Sequence, residues 1–364
     1  MSTKNKILFG LSIFIALTFI GKLLHLSPVV IFIFSGLGII PLAAWISGAT
    51  EEISLVLGPS IGGLLNATFG NATEMIISIV ALSQGLIDVV KASLAGSIIA
   101  NLLLALGLAI FFGGLRFKEQ KFSPSVARIN ASSLTLSTIV LLTPSAIHLT
   151  SGKLPTDVLN KFSYATSILL LLFYGMMLYF SIKHQQDIED LKELNEELAE
   201  EIEEEHGRVD KSVNMGLQVG LLLGLTVIMV FVSDVLVESL QEAIEIVKLT
   251  QLFTGIILIP IFSGVVEYIT CVTFATKNKM EGAVAVAIGS SLQIALFVAP
   301  ITVLVGWAIG QPMNLEFNLF SGLAVAVAVV ITNSVSTDGR SNWLEGALLL
   351  ITYIVLGIAF YFHP

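Results

Sequence analysis

Two glutamates, Glu74 and Glu267, lie inside long apolar stretches of the chain and share a sequence context. A glycine-serine pair follows each of them after the same interval of 22 residues, at Gly96-Ser97 and at Gly289-Ser290. A charged side chain in the middle of a membrane-spanning segment costs about 2.5–3.5 kcal/mol on insertion scales, so such residues are usually functional. The common spacing predicts an internal repeat with one functional carboxylate in each copy.

Oxygen-bearing side chains accompany both glutamates at helical spacing. Asn71 precedes Glu74 by three residues and is therefore expected on the same helix face. A spacing of three or four residues also joins Ser97 to Asn101 and Ser290 to Gln293. Gly70 and Gly264, beside the glutamates, would let helices approach closely, or break and turn carbonyl oxygens toward a cavity.

These residue types predict a site for a hard divalent cation. Ca²⁺ takes 6–8 oxygen ligands, and two carboxylates would neutralise its charge. Softer metals prefer histidine or cysteine; no histidine lies in these segments, and Cys271 is the only cysteine. Without a cation the two carboxylates repel each other and are poorly solvated, which favours their protonation. Ca²⁺ and protons are therefore expected to compete for the same oxygens.

The composition predicts that the elements carrying this site are membrane-spanning helices. The chain has 364 residues, of which 12% are charged, whereas soluble domains carry about 25%. A spanning helix needs about 20 mostly apolar residues. Eleven such runs are found, at 7–24, 28–49, 59–85, 92–114, 127–149, 162–182, 213–237, 249–275, 281–309, 316–335 and 343–362.

The distribution of lysine and arginine predicts the orientation. With the N-terminus in the cytosol, 13 of the 18 basic residues lie on the cytosolic side, in accord with the positive-inside rule. The C-terminus then lies outside. The five basic residues on the outer side are Lys22, Lys91, Lys153, Lys161 and Lys248.

An acidic segment divides the chain into two halves. Eleven acidic residues and the single base Lys192 lie between Asp187 and Glu205, and apolar residues recur among them every three or four positions. The predicted organisation is an N-terminal transmembrane helix at 1–26, a first repeat at 27–183, an acidic amphipathic cytosolic helix at 184–211 and a second repeat at 212–364. Five spans per half place the repeats in opposite orientations, which is typical of secondary transporters with a substrate site at the midplane.

The segments around the glutamates resemble those of the cation/proton exchangers in the Ca²⁺/cation antiporter superfamily. The first family motif, Gly-Asn-x-x-Glu, is matched by residues 70–74. The second, Pro-x-x-Gly-Asn-x-x-Glu-His, is matched at Pro260 and Glu267, with Ser263-Gly264 in place of Gly-Asn and Tyr268 in place of His. Residues 96–101 and 289–297 are similar to the helices that follow in the family, so the resemblance covers nearly the whole chain.

This resemblance implies an antiporter that exchanges Ca²⁺, or another divalent cation, for protons by alternating access. It implies Ca²⁺ ligation by the two glutamates, assisted by Asn71, Ser97, Ser290 and Gln293. The transported ions and lipid are the expected partners, with no cofactor and no nucleic acid. A prokaryotic cell membrane is the expected location. The sequence does not decide whether the protein forms a homo-oligomer.

The sequence leaves several alternative functions open. A Na⁺-coupled Ca²⁺ exchanger would share the architecture, although such relatives usually carry proline directly before the glutamate. A passive cation channel suits the inverted repeat less well, and an enzyme is not expected because no nucleophile-base or His-Glu-x-x-His motif is found. Four carboxylates near helix ends either line an entrance or sit at the wet interface: Glu51, Glu52, Asp234 and Glu238.

Overall fold

A computed structural model describes residues 3–151, 154–184 and 215–363, and nearly all of them are helical. The predicted acidic helix at 184–211 lies outside the described residues except for its first position. The helices are α1 Thr3–Leu11, α2 Ile13–Leu23, α3 Pro28–Phe69, α4 Ala72–Ser83, α5 Ile87–Ile99, α6 Leu106–Phe117, α7 Pro124–Thr150, α8 Thr156–His184, α9 Met215–Val247, α10 Gln251–Phe253, α11 Ile259–Ser263, α12 Val265–Thr276, α13 Met280–Gln293, α14 Ala299–Ala308, α15 Leu319–Ser336 and α16 Trp343–Phe362. Three π-helical turns interrupt them: π1 Ala100–Ala105, π2 Thr254–Leu258 and π3 Ile294–Val298.

The predicted polytopic, all-helical membrane class is confirmed, but the count of eleven spans is not. Among the described residues, nine helical segments are long and apolar enough to cross a bilayer, and a bent pair at Gln251–Thr276 makes ten. The predicted span at 59–85 corresponds to the end of α3 followed by α4, whose 12 residues are too few to span alone.

The long helix α3 turns back on itself. The Ser54 hydroxyl lies 3.0 Å from the carbonyl oxygen of Gly62, whereas eight residues of straight helix would separate the two by about 12 Å. The first part of α3 therefore crosses the membrane as Pro28–Ser54, and the chain after Gly62 runs in the opposite direction toward Asn71. The sequence gives no sign of this reversal, because it is apolar before and after the turn.

Equivalent positions of the two repeats carry equivalent backbone features at an offset of 193 residues. Asn71, with φ −111°, separates α3 from α4, and Gly264 separates α11 from α12 with a bend of 59°. The turns after α4 and α12 both contain a left-handed residue, Gly85 (φ 79°) and Asn278 (φ 64°). Shifted by the same offset, π3 falls within π1. The repeat therefore extends from sequence to backbone conformation.

Glycine allows the close packing of α6 against α16. A Cβ atom on Gly346 would lie 2.3 Å from the backbone nitrogen of Phe111, and one on Gly114 would lie 2.3 Å from that of Trp343. Helices in lipid gain contact from such small residues because no hydrophobic effect drives them together. The pair joins the fourth helix of the first repeat to the last helix of the second.

A two-stranded antiparallel sheet ties the same ends together. Strand β1, Glu119–Lys121, pairs with β2, Arg340–Asn342, with Gln120 opposite Ser341. The buried Gln120 amide donates hydrogen bonds to the Ala275 carbonyl (2.8 Å) and to Asn278 Oδ1 (3.0 Å). The loop after α6 is thereby fixed to the end of α12, the helix that carries Glu267.

We predict that Gly346→Ala destabilises the protein by about 1–3 kcal/mol, the usual cost of overpacking. The added methyl group would meet the Phe111 backbone, which cannot rotate away. Thermal unfolding in detergent, followed by tryptophan fluorescence, measures the effect. Gly224→Ala is the matched control because nothing lies within 4 Å of the added methyl there. Equal melting temperatures for the two variants would contradict the close approach of α6 and α16.

Candidate functional site

Both glutamates lie in the first turn of a helix that begins directly after a break. Glu74 is in the first turn of α4 and Glu267 in the first turn of α12. The backbone N–H groups at a helix N-terminus carry partial positive charge and stabilise a nearby carboxylate. The breaks therefore supply, inside the protein, the favourable end of a helix dipole that an unbroken span would not offer.

Each of the two carboxyl groups has one oxygen that is shielded from solvent. Glu74 is only 6% exposed. Among the described residues, the Oε2 atoms of both Glu74 and Glu267 are buried without a hydrogen-bond donor. Buried polar atoms are usually paired, so an unpaired carboxylate oxygen in each repeat marks a place for a cation or a proton.

A hydrogen-bonded network next to the carboxylates joins the repeats. The Ser290 hydroxyl donates to Asn71 Oδ1 (2.7 Å) and accepts from the Asn101 amide (2.9 Å). The Asn71 amide in turn donates to Gln293 Oε1. Four of the predicted polar site residues thus meet, two from each repeat. Ser290 and Gln293, a pair predicted to share a helix face, both contact Asn71, so the bonds of this network cross from one repeat to the other.

Tyr268 supports the break in the second repeat, a role that the sequence did not suggest. Its hydroxyl donates to the Pro260 carbonyl over 2.7 Å and so spans the interruption at Gly264. A Cβ atom on Gly264 would lie 2.6 Å from this hydroxyl. The bare backbone at Gly264 is therefore what allows a tyrosine at position 268 to pack there.

A cavity of about 370 Å³ leads to this site from one side. We call it the Glu51 cavity. No lysine, arginine or histidine occurs among its lining residues in the described chain. The lining residues are Ser47, Glu51, Asn66, Gly70, Asn71, Ser181, Val266, Glu267, Thr270, Ala285, Val286, Gly289, Ser290 and Gln293.

Of the four predicted entrance carboxylates, only Glu51 lines this cavity. Glu51 accepts a hydrogen bond from Ser47 over 2.9 Å. Glu52 accepts one from Gln218 instead. The other two lie on α9. Asp234 accepts a hydrogen bond from the Gln84 amide (2.8 Å), and Glu238 forms an exposed ion pair with Lys22.

The repeat-equivalent glycines have opposite environments. Gly289 borders the open cavity, with nothing within 4 Å of an added Cβ atom. At Gly96 the same atom would lie 2.4 Å from the Ile256 carbonyl oxygen, and at Gly255 it would lie 2.4 Å from the Ala92 methyl group. We call this packing of α5 against π2 the Gly96 contact. Ser97, buried beside it, is outside the described wall of the Glu51 cavity and apart from the Asn71 network.

The site is thus open on one side and closed on the other. The Glu51 cavity includes Asn66, before the break of the first repeat, and Thr270, after the break of the second. This combination requires that the two repeats run in opposite directions. Inverted repeats around a polar site made by broken helices define the class of secondary membrane transporters.

The comparison with known proteins specifies the family. The profile described as "Sodium/calcium exchanger protein" matches residues 27–183 and 217–362. The chain belongs to this family. The two matched ranges leave out residues 184–216.

Two relatives are similar to this chain over nearly all of its length. It is 50% identical over 367 residues to a Ca²⁺/H⁺ antiporter of Aphanothece halophytica, covering 100% of this chain and 98% of that protein. It is 38% identical to the Ca²⁺/H⁺ antiporter ChaA of Bacillus subtilis, covering 95% and 96%. These relatives are transporters.

Solved structures show the same fold. The native YfkE structure has a TM-score of 0.82 and 34% identity, covering 98% of this chain and 100% of that one. The H⁺/Ca²⁺ exchanger CAX has a TM-score of 0.74 at 14% identity, covering 99% and 92%. The second likeness concerns the fold alone.

Cysteine labelling tests which side is open. In a Cys271→Ala background without other cysteines, we expect Val286→Cys to react with a hydrophilic maleimide at least about ten times faster than Ser93→Cys. Positions 286 and 93 are repeat equivalents, but Val286 lines the Glu51 cavity whereas Ser93 is buried. The rates of maleimide labelling of the two variants are measured in detergent by gel shift. Equal rates would mean that both sides of the site are equally accessible.

Proposed function

We propose that this protein exchanges Ca²⁺ for protons across a membrane through Glu74 and Glu267. The observation that carries the proposal is the pair of carboxylates, each at a helix break and each with a buried, unpaired oxygen. Two negative charges with surrounding amide and hydroxyl oxygens suit a hard divalent cation. The two antiporters named above, at 50% and 38% identity, support Ca²⁺ and H⁺ as the exchanged ions.

Competition for the carboxylates supplies the coupling. A cation bound between Glu74 and Glu267 needs both groups deprotonated, and their charges balance its own. When the cation leaves, the pair is left buried with like charges, and binding protons relieves the repulsion. Coupling then needs no separate proton path, since a site occupied by protons is unavailable to Ca²⁺.

The polar network provides further ligands in this proposal. Asn71, Asn101, Ser290 and Gln293 now satisfy one another, and their oxygens are available to a cation after small rotations. The Ser97 hydroxyl and the carbonyls at Gly70 and Gly264 complete the proposed set. Exchange of partners within one network keeps these groups paired, in either state, at little desolvation cost.

Alternating access follows from the inverted repeats. The Glu51 cavity reaches Glu267 while the Gly96 contact closes the equivalent side. In the opposite state the contact at Gly96 would open and the equivalent face at Gly289 would close. By the positive-inside rule the Glu51 cavity opens to the cytosol, with the N-terminus cytosolic, the C-terminus outside and the protein in a bacterial cell membrane.

We expect Glu74→Gln and Glu267→Gln each to reduce Ca²⁺ flux more than 100-fold. Removing one partner of a buried charge interaction costs about 3–5 kcal/mol, which accounts for the size of the loss. Ca²⁺ uptake into proteoliposomes is measured under a pH gradient at zero membrane potential without Na⁺. Glu52→Gln, on the same helix as Glu51 but bonded to Gln218, should retain wild-type flux.

The driving ion distinguishes the alternatives in this assay. Uptake that follows a Na⁺ gradient but ignores pH would assign the protein to sodium-coupled exchange. Uptake that persists in both glutamine variants would remove Glu74 and Glu267 from the transport path. Non-saturable flux that ignores both gradients would indicate a channel.

The pH dependence of Ca²⁺ binding gives a second measurement. Cation binding releases protons from its ligands, so acidification weakens it. Over the range in which both carboxyls take up protons, the apparent Kd should rise up to about 100-fold per pH unit lowered, and at most about tenfold in Glu74→Gln. Titration calorimetry in two buffers of different ionisation enthalpy counts the released protons. An affinity that does not change with pH would exclude direct competition.

A further inference from the structure

The side opposite the Glu51 cavity has a cavity of its own, of about 470 Å³. We call it the Lys91 cavity. Its wall includes Asp88, Lys91, Ala92, Gln251, Leu252 and Glu316. Asp88 follows the end of α4 and Gln251 precedes the break of the second repeat, so this cavity lies beyond the closed side of the site. Ala92 lines this cavity and also forms part of the Gly96 contact.

The two cavities differ in the charge that they present to a cation. The Glu51 cavity has two carboxylates and no basic group among its described lining residues. In the Lys91 cavity, the Lys91 ammonium group shares the wall with Glu316 and Asp88 and donates to Asn314 Oδ1 over 2.5 Å. Glu316 is also held by His148, with Nε2 3.3 Å from Oε1. The positively charged side chain of Lys91 therefore lies in the same cavity as the two acidic residues.

Lys91 is close to the transport site along α5. Six residues separate it from Ser97, which corresponds to about 9 Å of helix. Once the Gly96 contact opens, a divalent cation leaving the site would pass this ammonium group. At about 10 Å, in surroundings between protein and water in polarity, repulsion of a doubly charged ion changes its affinity by roughly three- to tenfold.

We propose that Lys91 weakens Ca²⁺ binding from its own side of the membrane and thereby makes the two faces of the exchanger unequal. This inference rests on the proposed Ca²⁺/H⁺ exchange. Among the charged lining residues that the structure describes, Ca²⁺ entering through the Glu51 cavity meets only carboxylates, whereas Ca²⁺ that has crossed meets Lys91 and is released more readily. Lys91 acts on rates and apparent affinities alone, because the ion gradients fix the final Ca²⁺ distribution of a coupled exchanger.

The test compares Lys91→Gln with Lys91→Arg. Glutamine keeps a donor for Asn314 but removes the charge, and arginine keeps the charge. Half-saturating Ca²⁺ is measured in everted and right-side-out vesicles from a host that lacks its own exchangers. From the side of the Lys91 cavity, Lys91→Gln should lower this concentration about three- to tenfold, and Lys91→Arg should leave it unchanged. From the other side both variants should match the wild type.

Lys161→Gln is the matched control. Lys161 lies near the start of α8, whose other end contributes Ser181 to the Glu51 cavity, so Lys161 is on the same side as Lys91. It is exposed and paired with Asp157 over 2.8 Å, outside the cavity. Its variant should change neither half-saturation value.

The outcomes separate this inference from the proposed function. If the wild type shows no pH-driven Ca²⁺ flux, the proposed exchange itself fails. If the wild type exchanges normally and Lys91→Gln has wild-type half-saturation at both faces, Lys91 does not set the asymmetry. A shift equal at both faces, or one that Lys91→Arg also shows, would assign Lys91 a packing role and overturn the inference.

Discussion

A carboxylate in the hydrocarbon region must be stabilised by its surroundings, and the rest of this structure depends on how that is done. Glu74 and Glu267 lie at helix N-termini that exist only because the spans break at Asn71 and Gly264. A break in lipid exposes backbone groups that must be paired within the protein. The Tyr268 hydroxyl meets part of that demand in the second repeat, at the Pro260 carbonyl. The carboxylate, the helix break that precedes it and the side chain that supports the break therefore depend on one another.

The inverted repeat gives one sequence pattern two environments. Gly96 and Gly289 are equivalent by position, yet one is pressed against backbone and the other borders a cavity. The side chains that meet at the Gly96 contact are small, and their repeat equivalents Gly62, Ala285 and Gly289 are small as well. The difference between the two sides is therefore a property of the conformation and not of the local sequence. Three charged residues around the cavities are the exceptions: Glu51, Lys91 and Glu316 have Ile244, Val284 and Ser123 at the equivalent positions of the other repeat.

Much of this arrangement could be predicted from the sequence because it depends on spacing and composition. The two glutamates lie on α4 and α12, and the glycine-serine pairs lie on the helices that follow, α5 and α13. Ten of the apolar runs coincide with segments that are long and apolar enough to span a membrane, when the bent pair is counted as one. The reversal within α3 was not predictable, since an apolar run has the same composition whether it is straight or folded back. Contacts between distant residues, such as Asn101 with Ser290, Gln120 with Ala275 and Lys91 with Asn314, also have no local signature. They depend on tertiary packing alone.

The π-helical turns have a consequence for how these helices tolerate insertion and deletion. A π turn accommodates an additional residue relative to an α-helix, and each residue of an α-helix turns the chain by roughly 100°. Deleting one residue from Ala100–Ala105 would therefore let π1 close to an α-helical turn, with the glycines of α6 still facing α16 and Ser97 in place. Deleting a residue from the regular part of α6 would instead rotate the segment that follows by roughly 100° and turn those glycines away from α16. The π turns are thus the places in these spans where the chain can lose one residue and keep its packing register.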